Sequence, residues 1–344
     1  MSSRRRPLEF ALAINEAFHE MMAADPSVIL IGQGVKSPWY VGNTARGLLD
    51  RFGPGRVIDT PVSENAMTGV AVGAALAGLR PVAVHPRMDF MLYAFDPIAN
   101  EAANWHYMFG GRMRVPVVFW GIINRGGEQG AQHSQALHAV FAHVPGLKVV
   151  MPATPFDAKG LMIAALRDDN PVVFIDDRWL HARTGPVPRG LYEVPIGKAA
   201  VRRAGTDVTV VAVSHAVWLA LEAARMAARE GISVEVVDLR TVKPLDEAAI
   251  LKSVRKTGRL VVVDVGWTSF GLASEVAARA GEGAFTELRH AIRRVALPDV
   301  PAPASRSLEE AYFVSAERIL AEILVTTGSS PRRRAAGVRR SHRA

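Results

Sequence analysis

The chain has 344 residues, 49% of them hydrophobic, a net charge of +8 and no cysteine. That length exceeds one ordinary core and fits two domains, and the absence of thiols excludes disulfides, thiolate metal sites and a cysteine nucleophile. Nine positive charges sit near the ends, on Arg4, Arg5 and Arg6 and on Arg332, Arg333, Arg334, Arg339, Arg340 and Arg343, so the body between them is close to −1 and offers no basic face for nucleic acid.

The three N-terminal arginines have no apolar stretch behind them, which argues against a secretory signal. A cysteine-free chain suits a cytoplasmic protein. Apolar periodicity then predicts a helix over Phe10–Ala24 and strands over Val28–Ile31 and Val57–Asp59. The phrase Thr60-Pro61-Val62-Ser63-Glu64-Asn65 opens a Gly/Ala-rich helix, Ala66–Leu79. It is too short to cross a bilayer, and no membrane association is expected. Gly69, Gly73 and Gly78 read as packing glycines within it. Further on, strands are expected at Val82–His85, Val115–Trp120, Leu147–Met151 and Val172–Ile175, with helices at Phe95–Phe109 and Asp157–Leu166. A glycine-rich loop ends in Gly130-Ala131-Gln132-His133-Ser134-Gln135.

This alternation of strands and helices predicts a parallel α/β sheet. A polar Gly/Pro-rich stretch, His181–Gly190, interrupts it. A second alternation follows: strand Val208–Val213, helix Ala216–Glu230, strand Ser233–Asp238, helix Ala248–Val254, strand Leu260–Asp264 and helix Leu272–Ala280. The expected organisation is two α/β domains, residues 1–190 and 200–325, followed by a basic tail at 330–344 with too little apolar surface to fold.

Several side chains carry chemistry. Glu64 at a helix start is either a cap acid on the helix dipole or a carboxylate aimed at a cofactor. Phe90 is a core aromatic or a stacking platform. His133, after a glycine-rich loop, is a plain loop residue or a proton carrier near neutral pH. His138 and His143 read as packing or interface residues. Arg87 and Arg125 flank the same region and could grip an anionic group through paired hydrogen bonds, or serve as surface or subunit contacts. The chain has no Gly-x-x-x-x-Gly-Lys-Ser/Thr phosphate loop and no strand-linked Gly-x-Gly-x-x-Gly.

These phrases, with His143-Val144-Pro145-Gly146-Leu147, Asp157-Ala158-Lys159-Gly160, Arg167-Asp168-Asp169-Asn170-Pro171, Pro195-Ile196-Gly197-Lys198 and Asp238-Leu239-Arg240-Thr241-Val242-Lys243-Pro244, run in one order along most of the chain. Together they resemble the beta subunit of the thiamine-diphosphate-dependent 2-oxoacid dehydrogenases of the pyruvate and branched-chain type. The resemblance implies a transketolase-like pyrimidine-binding domain followed by a transketolase C-terminal domain that mainly builds the assembly. It matches Glu64 to the glutamate that hydrogen-bonds the cofactor's aminopyrimidine and favours its imino tautomer, which then takes the thiazolium proton. It places Phe90 beside the pyrimidine and gives His133 an acid–base role. Val117, Ala165, Leu166, Asp168 and Asn170 match positions that hold potassium through oxygen atoms in some relatives; Asp168 and Asn170 also fit a plain helix end and turn.

The family's Gly-Asp-Gly…Asn grip on diphosphate and metal is missing here. The resemblance therefore implies an alpha subunit that brings magnesium and the diphosphate site, in a heterotetramer of two alpha and two beta chains. The implied reaction is oxidative decarboxylation of a 2-oxoacid, with acyl transfer to lipoamide on a partner acyltransferase. Val84-His85-Pro86-Arg87-Met88 and Trp120-Gly121-Ile122-Ile123-Asn124-Arg125 depart from the usual family pattern. They leave open a decarboxylase or carboligase that does not use lipoamide, and a non-catalytic partner subunit.

Overall fold

A parallel sheet must be covered on both faces, because its crossover connections put helices there. The computed structural model, which describes residues 5–37 and 41–328, shows how this chain meets that demand. A seven-stranded sheet runs in the order Thr241–Lys243, Lys148–Val150, Val172–Asp177, Val118–Ile123, Arg80–His85, Val28–Gly32, Val57–Asp59. All its pairs are parallel except that of Thr241–Lys243 with Lys148–Val150. A five-stranded sheet runs Arg293–Leu297, Leu260–Trp267, Val208–Ala212, Val234–Asp238, Ala200–Arg203, antiparallel only at the last pair. The expected parallel α/β architecture with two sheets is thus present.

The central strand Val118–Ile123 shows how side-chain alternation divides the core. Val118, Trp120 and Ile122 face a cluster with Phe10, Ile14 and Phe18 of the helix Phe10–Ala24. Phe119 and Ile123 face a second cluster that runs without a break into Val210, Val236 and Val262 of the five-stranded sheet. One face of the larger sheet is therefore covered by its own helices, and the other by the second half of the chain as well. Polar contacts reinforce this seam. Arg202 donates to Asp157 and Asp238, Arg240 pairs with Asp157 at 3.0 Å, and Trp218 Nε1 donates to the Ala153 carbonyl at 2.7 Å.

Helix ends follow sequence rules where a capping side chain is present. The helix Pro155–Arg167 begins with Thr154, whose hydroxyl accepts from the Asp157 N–H, and with proline in the first turn. The helix Glu247–Thr257 is capped by Asp246 and closed by Gly258 in the left-handed conformation.

Four expectations are corrected. The strand predicted at Val115–Trp120 lies at Val118–Ile123, because Pro116 has no N–H to give to a ladder. The helix predicted over Phe95–Phe109 is a π segment Pro97–Ala102 followed by a short α-helix Ala103–Met108, with a 3₁₀ segment Met88–Ala94 before them; Pro97 removes a helical donor. The stretch His181–Gly190 contains a strand, Thr184–Val187, paired antiparallel with Arg6–Glu9. Gly78 lies beyond the end of its helix, at φ +98°. The basic tail expected at 330–344 falls outside the described residues. No helix among the described residues is long and apolar enough to cross a membrane.

His85, the last residue of its strand, is buried beneath the helix Glu64–Leu76, with Nε2 3.2 Å from Thr68 Oγ1. Burial pushes its pKa down to about 3, so the folded protein keeps this imidazole neutral. The unfolded chain takes up the proton near pH 6.5. The sign follows: this residue costs nothing above that value, and stability falls progressively as the pH drops toward 3. Between pH 7 and pH 5 the predicted loss is about 2 kcal/mol, read as a fall in the urea midpoint, and His85→Gln should remove most of that slope. An unchanged slope in the variant would refute the assignment.

Candidate active site

The C-terminal ends of parallel strands leave a crevice into which the following loops point. Gln33 follows one such strand, Glu64 starts the helix after the next, and Arg87, Phe90, Asn124 and Asp177 follow or end three more. Glu64 is only 9% exposed, and its Oε1 accepts from Gln33 Nε2 at 2.9 Å. The preceding Ser63 makes no side-chain cap bond. The carboxylate is thus turned across the crevice toward a neighbouring strand end and is held there by an amide.

Phe90 and His133 meet. Their rings pack edge to face, with centroids 5.4 Å apart. Phe90 sits on the 3₁₀ segment Met88–Ala94, and His133 ends the short 3₁₀ turn Ala131–His133. The link from this pair to Glu64 is indirect: Asn65 Nδ2 donates to the carbonyl of Tyr93 at 3.4 Å. Beneath them lies Asp89, 4% exposed, whose Oδ1 accepts from the Gln135 N–H at 3.0 Å. Its Oδ2 is buried with no partner among the described residues. Burial raises its pKa, and the hydrogen bonds from Gln135 only partly offset that. The site therefore holds a carboxyl biased toward its protonated form beside a histidine.

The loop before His133 runs through left-handed backbone conformations that glycine favours. Gly126, Gly127, Glu128 and Gly130 all have positive φ. A Cβ on Gly126 would come within 2.7 Å of the Trp179 ring, so only glycine allows the loop to lie there. Arg125 is buried, with Nη2 donating to Asp177 Oδ2 at 2.5 Å and its guanidinium 5.5 Å from the Trp179 ring centroid. Both partners of this pair are buried. Arg87 Nε and Nη2 lie 2.9 and 3.0 Å from the side-chain oxygen of Asn124 once that amide is turned to accept.

The remaining histidines separate. His138 is fully buried and donates from Nε2 to Asp264 Oδ1 at 2.9 Å, across the seam between the two sheets. Burial would raise Asp264, but His138 and the N–H groups of Gly266 and Ala273 outweigh it and hold the carboxyl below its usual range. His143 is exposed at the rim of a cleft of about 1330 Å³.

The expected cation residues gather around one turn. Arg80 Nη1 donates to the carbonyls of Leu166 and Asp168 at 3.2 and 2.9 Å. The Val117 and Ala165 carbonyls accept from Val172 and Asp168 N–H groups. Asp168 ends its helix, its side chain takes the Asn170 N–H and a lysine, Lys148, and Asn170 Oδ1 is buried without a partner among the described residues. Both readings of Asp168 and Asn170 are therefore visible: a helix end and turn, with one oxygen left over. Sequence reasoning missed Gln33, Asn124 and Asp177, which join the candidate site only through tertiary contact.

Two family descriptions match the chain: the transketolase pyrimidine-binding domain over residues 6–181 and the transketolase C-terminal domain over residues 197–319. The beta subunit of acetoin:2,6-dichlorophenolindophenol oxidoreductase of Cupriavidus necator is 45% identical over 326 residues, covering 92% of this chain and 96% of that protein. The pyruvate dehydrogenase E1 component subunit beta of Rickettsia conorii is 44% identical over 297 residues, covering 86% of this chain and 91% of its own. Among solved structures, a split-gene transketolase described as an inactive beta4 tetramer superposes with a TM-score of 0.75 over 94% of this chain and 99% of its own, at 23% identity, which is a likeness of fold. With both domains matched in order and relatives this similar over nearly the whole length, the chain belongs to the transketolase-like family, among the beta subunits of the thiamine-diphosphate-dependent 2-oxoacid dehydrogenases.

Proposed function

We propose that this chain is the beta half of an enzyme that decarboxylates a 2-oxoacid oxidatively and passes the acyl fragment to lipoamide on a partner acyltransferase. An alpha subunit, in a heterotetramer of two alpha and two beta chains, would supply magnesium and the grip on the diphosphate. The observation that carries this reading is the buried Glu64 carboxylate, held by Gln33 at the strand ends, near the Phe90–His133 pair. The cysteine-free composition suits a reducing compartment, and we read the protein as cytoplasmic.

Thiamine diphosphate, when bound, supplies the nucleophilic carbon and the electron sink that a keto carbon needs to release carbon dioxide. The chain's own residues do the positioning and the proton handling. Glu64 Oε2, the oxygen not engaged by Gln33, would be the one to exchange a proton with the aminopyrimidine. Gln33 fixes the carboxyl plane, and Phe90 offers an apolar wall beside the ring. His133, steadied by the edge of Phe90, exchanges a proton with the substrate oxygen. A potassium ion would be held by Asn170 Oδ1 and the carbonyls of Val117, Ala165, Leu166 and Asp168; each of those carbonyls already accepts a hydrogen bond, so the ion would use their second lone pairs.

A neutral hydroxyketone is a second reading for the substrate. The burial of Arg125 against Asp177 removes one of the two arginines available for a substrate carboxylate. The Cupriavidus relative is itself named for acetoin. Turnover of pyruvate against acetoin by the reconstituted complex, with and without a lipoyl acceptor and with 2,6-dichlorophenolindophenol as alternative oxidant, separates these substrates. It also separates either from a lipoamide-independent carboligase.

Two outcomes are expected. The isolated chain should bind thiamine diphosphate weakly by calorimetry, and tight magnesium-dependent binding should appear only with the alpha partner; tight binding by the chain alone would contradict a shared site. Glu64→Gln should lower turnover roughly a hundredfold, the scale of lost acid–base catalysis, with assembly intact. Deuterium exchange at the cofactor's reactive carbon should slow at full cofactor occupancy. Unchanged exchange at that occupancy would return Glu64 to a helix-start acid.

A further inference from the structure

The loop that carries His133 has little backbone bonding of its own. Gly126, Gly127, Glu128 and Gly130 have positive φ, and Gly127, Glu128 and Gln129 are exposed. Such a loop is placed by whatever holds its N–H groups. The Glu128 N–H points at Glu309, 181 residues away on the helix Arg306–Tyr312, and both carboxylate oxygens accept it at 3.1 Å. Glu309 is only 6% exposed, and among the described residues no lysine, arginine or histidine forms a salt bridge with it. A buried carboxylate without a counter-cation is costly to the fold. Among the described residues, its side-chain hydrogen bonds are with this loop.

The other end of the loop is gripped in the same way, by Asp89 through the Gln135 N–H at 3.0 Å. His133 lies between the two grips. On the side facing the second half of the chain, a cleft of about 520 Å³ bounded by Ala131, Gln132, Gln135, Trp267, Ser269 and Asp299 lies beside the turn. At the Glu128 end the backbone N–H is held by Glu309.

We infer that Glu309 is a positioning residue for the reaction: reaching across from the second half of the chain, its carboxylate holds the Glu128 end of the loop so that His133 stays against Phe90. The catalytic consequence rests on the reading of His133 as the proton carrier, whereas the tether itself does not. The second half of the chain thereby contributes to the active site directly, as well as to assembly.

The test uses Glu309→Ala, Glu309→Gln and His133→Ala. Amide hydrogen exchange is followed over residues 126–135 in the full chain, and steady-state kinetics with pyruvate and with acetoin are followed in the complex with its alpha partner. Glu309→Ala should speed exchange across 126–135 and lower kcat roughly tenfold to a hundredfold, the cost of a misplaced catalytic group, while KM changes little. Glu309→Gln keeps one acceptor oxygen and should restore most of both. If Glu309→Ala does not fold, Glu309→Met, which fills the same space without an acceptor, is read identically. Unchanged exchange over 126–135 without the carboxylate overturns the tether, as does a Gln variant no better than Ala in both readouts. His133→Ala with full turnover overturns the proton-carrier reading and the catalytic consequence, while the exchange data still decide the tether.

Discussion

The seven-stranded sheet has two faces to bury, and the first half of the chain supplies full cover for only one of them. The helices Phe10–Ala24 and Pro155–Arg167 close the face lined by Val118, Trp120 and Ile122. The opposite face shares a continuous apolar core with the five-stranded sheet. From this single constraint the rest of the molecule follows. The strand Thr241–Lys243 crosses back to extend the first sheet at Lys148–Val150. The charged groups at the seam, Arg202 with Asp157 and Asp238 and His138 with Asp264, are taken out of water and must satisfy one another. The loop holding His133 lies along that seam, so its position is decided by both halves.

What was legible in the sequence was local. The helix Phe10–Ala24 was readable to its ends, because its apolar residues recur on one face and Asp25 and Pro26 stop it. The two α/β alternations were readable because parallel strands buried on both faces are continuous Val/Ile runs. The resemblance singled out Glu64, Phe90 and His133 as candidates, and the structure seats Phe90 against His133, a contact not visible in the chain. The crossing strand Thr241–Lys243 was not legible: three residues carry no usable period, and its partner is about ninety positions away in sequence. Pro97 and Pro116 were visible, but their effect on the surrounding elements was underweighted, which misplaced one helix and one strand.

Side-chain partners were the least legible layer. Arg125 read as an open guanidinium available to a substrate, and only the fold reveals Asp177 beside it. Gln33 carries no motif at all; it matters because the end of its strand lies next to the start of the Glu64 helix. Glu309 belongs to an unremarkable helix in the second half and acquires a role only through the Glu128 N–H. In each case the informative fact is a contact between distant segments, which neither composition nor spacing encodes.

The charges around the site follow one logic. Where a carboxylate has only to hold the structure, it is paired: Asp177 with Arg125, and Asp264 with His138 and two backbone N–H groups that hold it below its usual range. Around the crevice the carboxyl groups are given neutral partners instead: an amide for Glu64 and backbone N–H groups for Asp89 and Glu309. A cation at those positions would lock each carboxylate in its charged form. At Asp89 the hydrogen bonds from Gln135 lower the pKa, and burial outweighs them and raises it. On the proposed reading of Glu64 and His133, such neutral partners place the groups of the site firmly without a counter-cation beside them.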